Sequence, residues 1–115
     1  MSKKLSEHFS VDEIKCKCGC GAAHINNELI STLEKIRVII GRPIYVTSGV
    51  RCESHNRAVG GAIKSRHMSG NAIDFYINGY NPCCIATLIN LTCEGYRAIP
   101  YNNKKFVHIE KTTTT

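Results

Sequence analysis

A carboxylate stands where a core strand should be apolar. Residues 71–78 read NAIDFYIN, alternating Ala72, Asp74 and Tyr76 against Ile73, Phe75 and Ile77 at the period of a half-buried strand. A buried carboxylate is costly unless it is paired or bound to a metal. Any fold built on this strand must therefore bring a cation to Asp74. The KFVHIE run offers help, because alternation puts Phe106, His108 and Glu110 on one face and Val107 and Ile109 on the other. His67, in SRHMSGNAID, precedes Asp74 in a loop that Gly70 allows to turn back. If the two strands are neighbours, His67, Asp74 and His108 meet above one side of the sheet. Two imidazoles and a carboxylate are the donor set of a catalytic zinc site, with the fourth position left for water. Ala72 leaves room above the sheet, and the Ser65 hydroxyl is expected to orient a loop backbone group or a ligand.

The rest of the chain supplies the frame for those strands. SVDE (Ser10 to Glu13) is a capping box opening a short helix. Asn26 or Asn27 caps a longer helix running to Ile40, with Leu29, Leu33, Ile36 and Ile40 at helical spacing and Gly41 and Pro43 as the stop. PIYVTS reads as a strand, and ESHNRAV as one helical turn within a loop from Gly49 to Gly70. NPCCIATLINLTCEG is a helix capped by Asn81, with Pro82 at its first position and its end at Gly95. YRAI and KFVHIE then close the sheet as two strands separated by the turn-rich PYNNK. The fold class is α+β, with helices packed on a small, mainly antiparallel sheet.

At 115 residues the chain is read as one domain, 1–115, with frayed ends at 1–8 and 112–115. No apolar run is long enough to span a bilayer, so membrane insertion is not expected. No hydrophobic stretch follows Lys3 and Lys4, which predicts synthesis in the cytoplasm without a signal peptide. The net charge of +6 favours an anionic partner. Nucleic acid is the poorest candidate, since there is no tryptophan and no recognition motif. Seven cysteines in a chain made under reducing conditions argue against a disulfide framework. Cys52, Cys83, Cys84 and Cys93 read as small core residues on helices. The C-x-C-x-C spacing in CKCGCGAAH departs from the C-x-x-C of structural zinc sites, so these thiols are read as free. A second metal on Cys16, Cys18, Cys20 and His24 is the alternative.

SRHMSGNAID fits S-x-H-x-x-G-x-A-x-D, and together with VHIE it resembles the zinc D-alanyl-D-alanine carboxypeptidase and phage murein endopeptidase family. The metal-binding fold of that family is shared by the hedgehog signalling domain. The resemblance runs from about Phe9 to Glu110 and includes SGVRCESHNRAVGGA. It implies Zn²⁺ held by His67, Asp74 and His108, with Arg51 binding a substrate carboxylate or the polarised carbonyl oxygen. It also implies a peptidoglycan stem peptide as substrate, cleaved next to a D-amino acid by a monomeric carboxypeptidase or endopeptidase. A lysis or virion-associated enzyme of a phage fits the small size. Arg57, Lys64 and Arg66 would make the cleft positive, Tyr76 is a candidate wall, and His8 and His55 are read as structural or surface residues. One position departs from the family pattern: Lys105 stands three residues before His108, where several branches carry a catalytic carboxylate. Glu110 is the nearest substitute, either as general base or as hydrogen-bond partner of a ligand, with Glu53 as a further candidate. A module that holds zinc but has lost catalysis is the competing expectation.

Overall fold

The computed structural model describes residues 3–112. The elements run α1 (Val11–Ile14), α2 (Asn27–Ile40), β1 (Tyr45–Ser48), α3 (Glu53–Ala58), β2 (Ala72–Tyr76), α4 (Pro82–Thr92), β3 (Tyr96–Tyr101) and β4 (Phe106–Lys111). The four strands form one antiparallel sheet in the order β1-β2-β4-β3. This is the α+β architecture expected from the sequence. Local signals set the helix ends. Glu13 accepts from the Ser10 backbone N–H at 3.1 Å, which closes the capping box of α1. Asn26 caps α2 by accepting from Glu28 N–H at 2.8 Å, and Gly41 ends it in the left-handed conformation (φ 74°). Asn81 caps α4 ahead of Pro82.

Alternation divides the sheet into two faces. Ile73, Phe75, Val107, Ile109 and Ala98 point into a core shared with Leu29, Leu33 and Ile36 of α2 and Ile85, Ala86 and Ile89 of α4. On the opposite face the register aligns Ser48, Asp74, His108 and Ile99 in one row and Ala72, Glu110 and Arg97 in the next. β2 and β4 are thus neighbours, and their polar residues share a face. The β1–β2 register shifts between Val46 and Ser48, a bulge that sets Ser48 opposite Asp74.

Three expectations are corrected. Strand β3 continues through Pro100 to Tyr101 rather than stopping at Ile99, because β3 lies at a sheet edge, where a missing N–H costs little. Residues 3–8, expected to fray, are tied down: Val11 N–H donates to Lys3 O, Leu5 N–H to Phe9 O, and Ser6 and His8 both bond Glu34 on α2. Of the expected frayed tail, Thr112 donates its N–H to Gly95 O, and 113–115 lie outside the described residues, as do 1 and 2. Of Cys52, Cys83, Cys84 and Cys93, only Cys93 is buried in the core, and Cys16 is buried as well. Cys83 and Cys84 are exposed on α4, and Cys52 precedes α3 as its N-cap. No helix among the described residues is long and apolar enough to cross a membrane.

Candidate metal centre

His67 reaches the polar face from the 59–71 loop, shaped by two local constraints. The Ser65 hydroxyl accepts from His67 N–H at 3.2 Å, the backbone role expected of it. Gly70 has φ 76°, and a Cβ there would lie 2.2 Å from His24 O, so the turn tolerates only glycine. The 2 % exposed His67 ring then hydrogen-bonds Gly49 O through Nδ1 at 2.7 Å. A carbonyl can only accept, so Nδ1 carries the proton and Nε2 is turned toward Asp74 Oδ1 at 3.2 Å. His108 is anchored in the mirrored sense. With its proton on Nε2, it donates to Glu110 Oε1 at 2.7 Å and turns Nδ1 to the same Asp74 oxygen at 2.8 Å.

Two neutral imidazoles held this way present lone pairs to a carboxylate oxygen. Three lone pairs on one point repel unless a cation lies between them. A proton satisfies one pair; a divalent metal satisfies all three. One ligand atom each from His67, Asp74 and His108 lies within 4.8 Å of the others, so the residues fit such an ion. Fixing a ligating imidazole through its far nitrogen to a carbonyl or carboxylate is also how metal sites orient histidine. With no ion between them, a proton fills the gap: burial pushes the Asp74 carboxyl up, but the two imidazoles outweigh it and hold it at about 2. Burial pulls His108 down, and the Asp74 and Glu110 carboxylates more than reverse that, so an entering metal would have to displace a proton from this imidazole.

Arg51 points into the same place. It bonds Ser48 Oγ at 3.1 Å, Asn56 Oδ1 at 3.2 Å and Asp74 Oδ2 at 3.4 Å, which engages three of its five N–H donors. Asn56, which sequence reasoning missed, is 4 % exposed and also donates to Ala62 O at 2.8 Å. Gly61 packs so closely that a Cβ would lie 2.1 Å from Asn56 Oδ1 and 3.0 Å from Arg51 Nη1. Gly61→Ala is therefore expected to displace both side chains and cost about 1–3 kcal/mol, as overpacking does. Urea unfolding checks it, and an unchanged midpoint would contradict this packing.

These groups line a cleft of ≈ 540 Å³ whose basic residues are Arg51, Lys64, Arg66, Arg97 and Lys104. Arg57, expected there, instead pairs with Glu53 on the exposed side of α3. Arg97 and Lys104 take its place, because the β3–β4 hairpin forms one wall. Tyr76 is outside this cleft, stacked on Tyr45 at 5.1 Å. His8 bonds Glu34 on α2, away from the cleft, and His55 belongs to α3. Asp74 and Glu110 are the only carboxylates lining the cleft among the described residues. Both Glu110 oxygens are engaged, Oε1 by His108 and Oε2 by Arg97 at 3.0 Å and Arg66 at 3.3 Å. Burial raises the Glu110 carboxyl, but His108, Arg97 and Arg66 together hold it below the usual carboxylate range. Lys105 lies in the hairpin turn with φ 57° and brings no carboxylate to the site.

The sequence matches Peptidase M15 over residues 7–110, which takes in every residue of this centre. The chain belongs to the Peptidase M15 family. It is thereby a member of a metal-dependent peptidase family of the D-alanyl-D-alanine carboxypeptidase type, whose substrates are related to peptidoglycan. No curated protein matches the sequence. In this M15 peptidase the candidate metal ligands come from one loop and the two central strands, β2 and β4.

Proposed function

We propose that the protein is a zinc-dependent hydrolase of peptide bonds next to D-amino acids in peptidoglycan stem peptides. The observation that carries this reading is the convergence of His67 Nε2 and His108 Nδ1 on Asp74 Oδ1, with both far nitrogens anchored, at the floor of a basic cleft. His67, Asp74 and His108 would hold the ion, and zinc suits two imidazoles and a carboxylate with an open position. Bound there, zinc would supply a water of pKa ~7 and a Lewis acid for the scissile carbonyl.

The protein's own groups do the remaining work. Arg51, with two donors unengaged, binds the substrate carboxylate or the carbonyl oxygen as charge develops on it. Lys64, Arg66, Arg97 and Lys104 draw in the carboxylate-bearing stem peptide. Glu110 acts as a positioning residue, holding His108 with Nδ1 toward the metal position. In this reading the protein works as a monomer on the cell wall, released by a phage lysis system or carried on a virion.

Digesting purified murein with the zinc-loaded protein and weighing the fragments tests the reading. Release of D-alanine identifies a carboxypeptidase, and release of cross-linked or stem fragments an endopeptidase. One observation favours a second reading: among the described residues, the sole cleft carboxylate outside the ligand set has both oxygens occupied. Retained zinc with no fragment from murein of several chemotypes would replace the enzyme by a binding module.

A further inference from the structure

The cysteine-rich loop that the peptidase site leaves unused gathers a second set of metal donors. One sulfur each from Cys16, Cys18, Cys20 and Cys52 lies within 4.8 Å of the others. Cys18 Sγ is 3.5 Å from Cys16 Sγ and 3.6 Å from Cys52 Sγ. A tetrahedral ion with bonds of 2.3 Å spaces its sulfurs ~3.8 Å apart. His24, the fourth donor considered from the sequence, is exposed and outside the group; Cys52 occupies that place.

The backbone is arranged for this gathering. In an extended strand, C-x-C-x-C would set its thiols in a row. Here Gly19 and Gly21 take φ of 89° and 87°, and Cys16 N–H closes the loop on Ala22 O at 2.7 Å. Three amides then point at sulfur: Cys52 N–H at Cys16, His55 N–H at Cys52 and Ala22 N–H at Cys20, at 3.4–3.5 Å. Such donors favour thiolate over thiol. Cys16 is 1 % exposed, so its sulfur meets its donors away from water.

We propose that Cys16, Cys18, Cys20 and Cys52 bind one structural zinc ion, each thiol giving up its proton to solvent as the ion enters. The close sulfur spacing suits a single ion rather than an iron–sulfur cluster, whose thiolates stand farther apart. The site clamps the segment that builds the peptidase centre. Cys52 follows Arg51, Val50 N–H donates to Ile14 O at 2.7 Å, and Gly49 O holds the His67 ring. A Cβ on Gly49 would lie 2.4 Å from Ile14 O, so the two segments are in direct contact.

The test is metal counting with Co²⁺ as a spectroscopic probe, on protein purified under reductant. Wild type should carry two ions and, reloaded with Co²⁺, show thiolate-to-cobalt charge-transfer absorption in the near ultraviolet. His67→Ala should keep one ion and that absorption. The pair Cys20→Ser with Cys52→Ser should lose the absorption and one ion. A measurement on unaltered protein guards against misfolded variants. Alkylation mapped by peptide mass should reach Cys83 and Cys84 at once, but Cys16, Cys18, Cys20 and Cys52 only after chelation. Immediate alkylation of those four in the zinc-loaded protein would overturn the proposal. So would a mass 2 Da below the reduced chain, which signals a disulfide, or a single ion lost with His67→Ala.

Discussion

Asp74→Ala is expected to abolish metal binding at the peptidase centre and to cost more stability than any other single change there. Its Oδ1 is the point on which both imidazoles converge, and its Oδ2 pairs with Arg51 at 3.4 Å. The Arg51 side chain is only 14 % exposed, so removing Asp74 strands a largely buried guanidinium. Breaking a buried pair from one side costs about 3–5 kcal/mol. Elemental analysis should show one zinc fewer than wild type, and the melting temperature should fall even when both proteins are compared metal-free. His108→Ala should lose the same ion with a smaller metal-free penalty, because Arg51 keeps its partner. Full zinc content in Asp74→Ala would refute the assignment of the centre.

Glu110→Gln separates positioning from proton transfer. The amide oxygen can still accept from His108, but the charge that steadies the ring and pairs with Arg66 and Arg97 is gone. Loss of such a partner weakens metal binding by roughly 10–100-fold. The variant should therefore be slow at limiting zinc and recover to within a few-fold of wild-type kcat when zinc is in excess. A general base behaves differently: its loss costs roughly 10²–10⁴-fold at any metal concentration. A deficit of that size at saturating zinc would show that Glu110 takes the proton. Titrating zinc against rate for both proteins decides the matter.

Much of the fold was readable because its signals are local. Asn26, Asn81 and Pro82 mark helix starts within a few residues, and period-2 alternation placed Asp74 and His108 on one side of their strands. That β2 and β4 are neighbours enters the sequence reading only as a condition, which their pairing in the structure meets. What escaped notice depends on contacts distant in sequence. Asn56 reads as an ordinary polar residue on a short helix until Gly61 and Arg51 are packed against it. Cys52 reads as a core thiol until the Cys16–Cys20 loop arrives beside it. Arg97 and Lys104 enter the cleft only because β3 pairs with β4. The tied-down residues 3–8 depend on Glu34 of α2, which no local pattern announces.

The strand order β1-β2-β4-β3 has a consequence for biosynthesis. Among the described strands β4 is the last made, yet it slots between two strands made before it. Until it arrives, β2 is open on one edge, β3 has no strand partner at all, and Asp74 waits with one imidazole instead of two. The candidate metal centre cannot be completed by degrees. Any metal loading there would follow translation through His108, and a ribosome stalled short of that point leaves β3 unpaired and β2 open on one edge, a chain prone to aggregate.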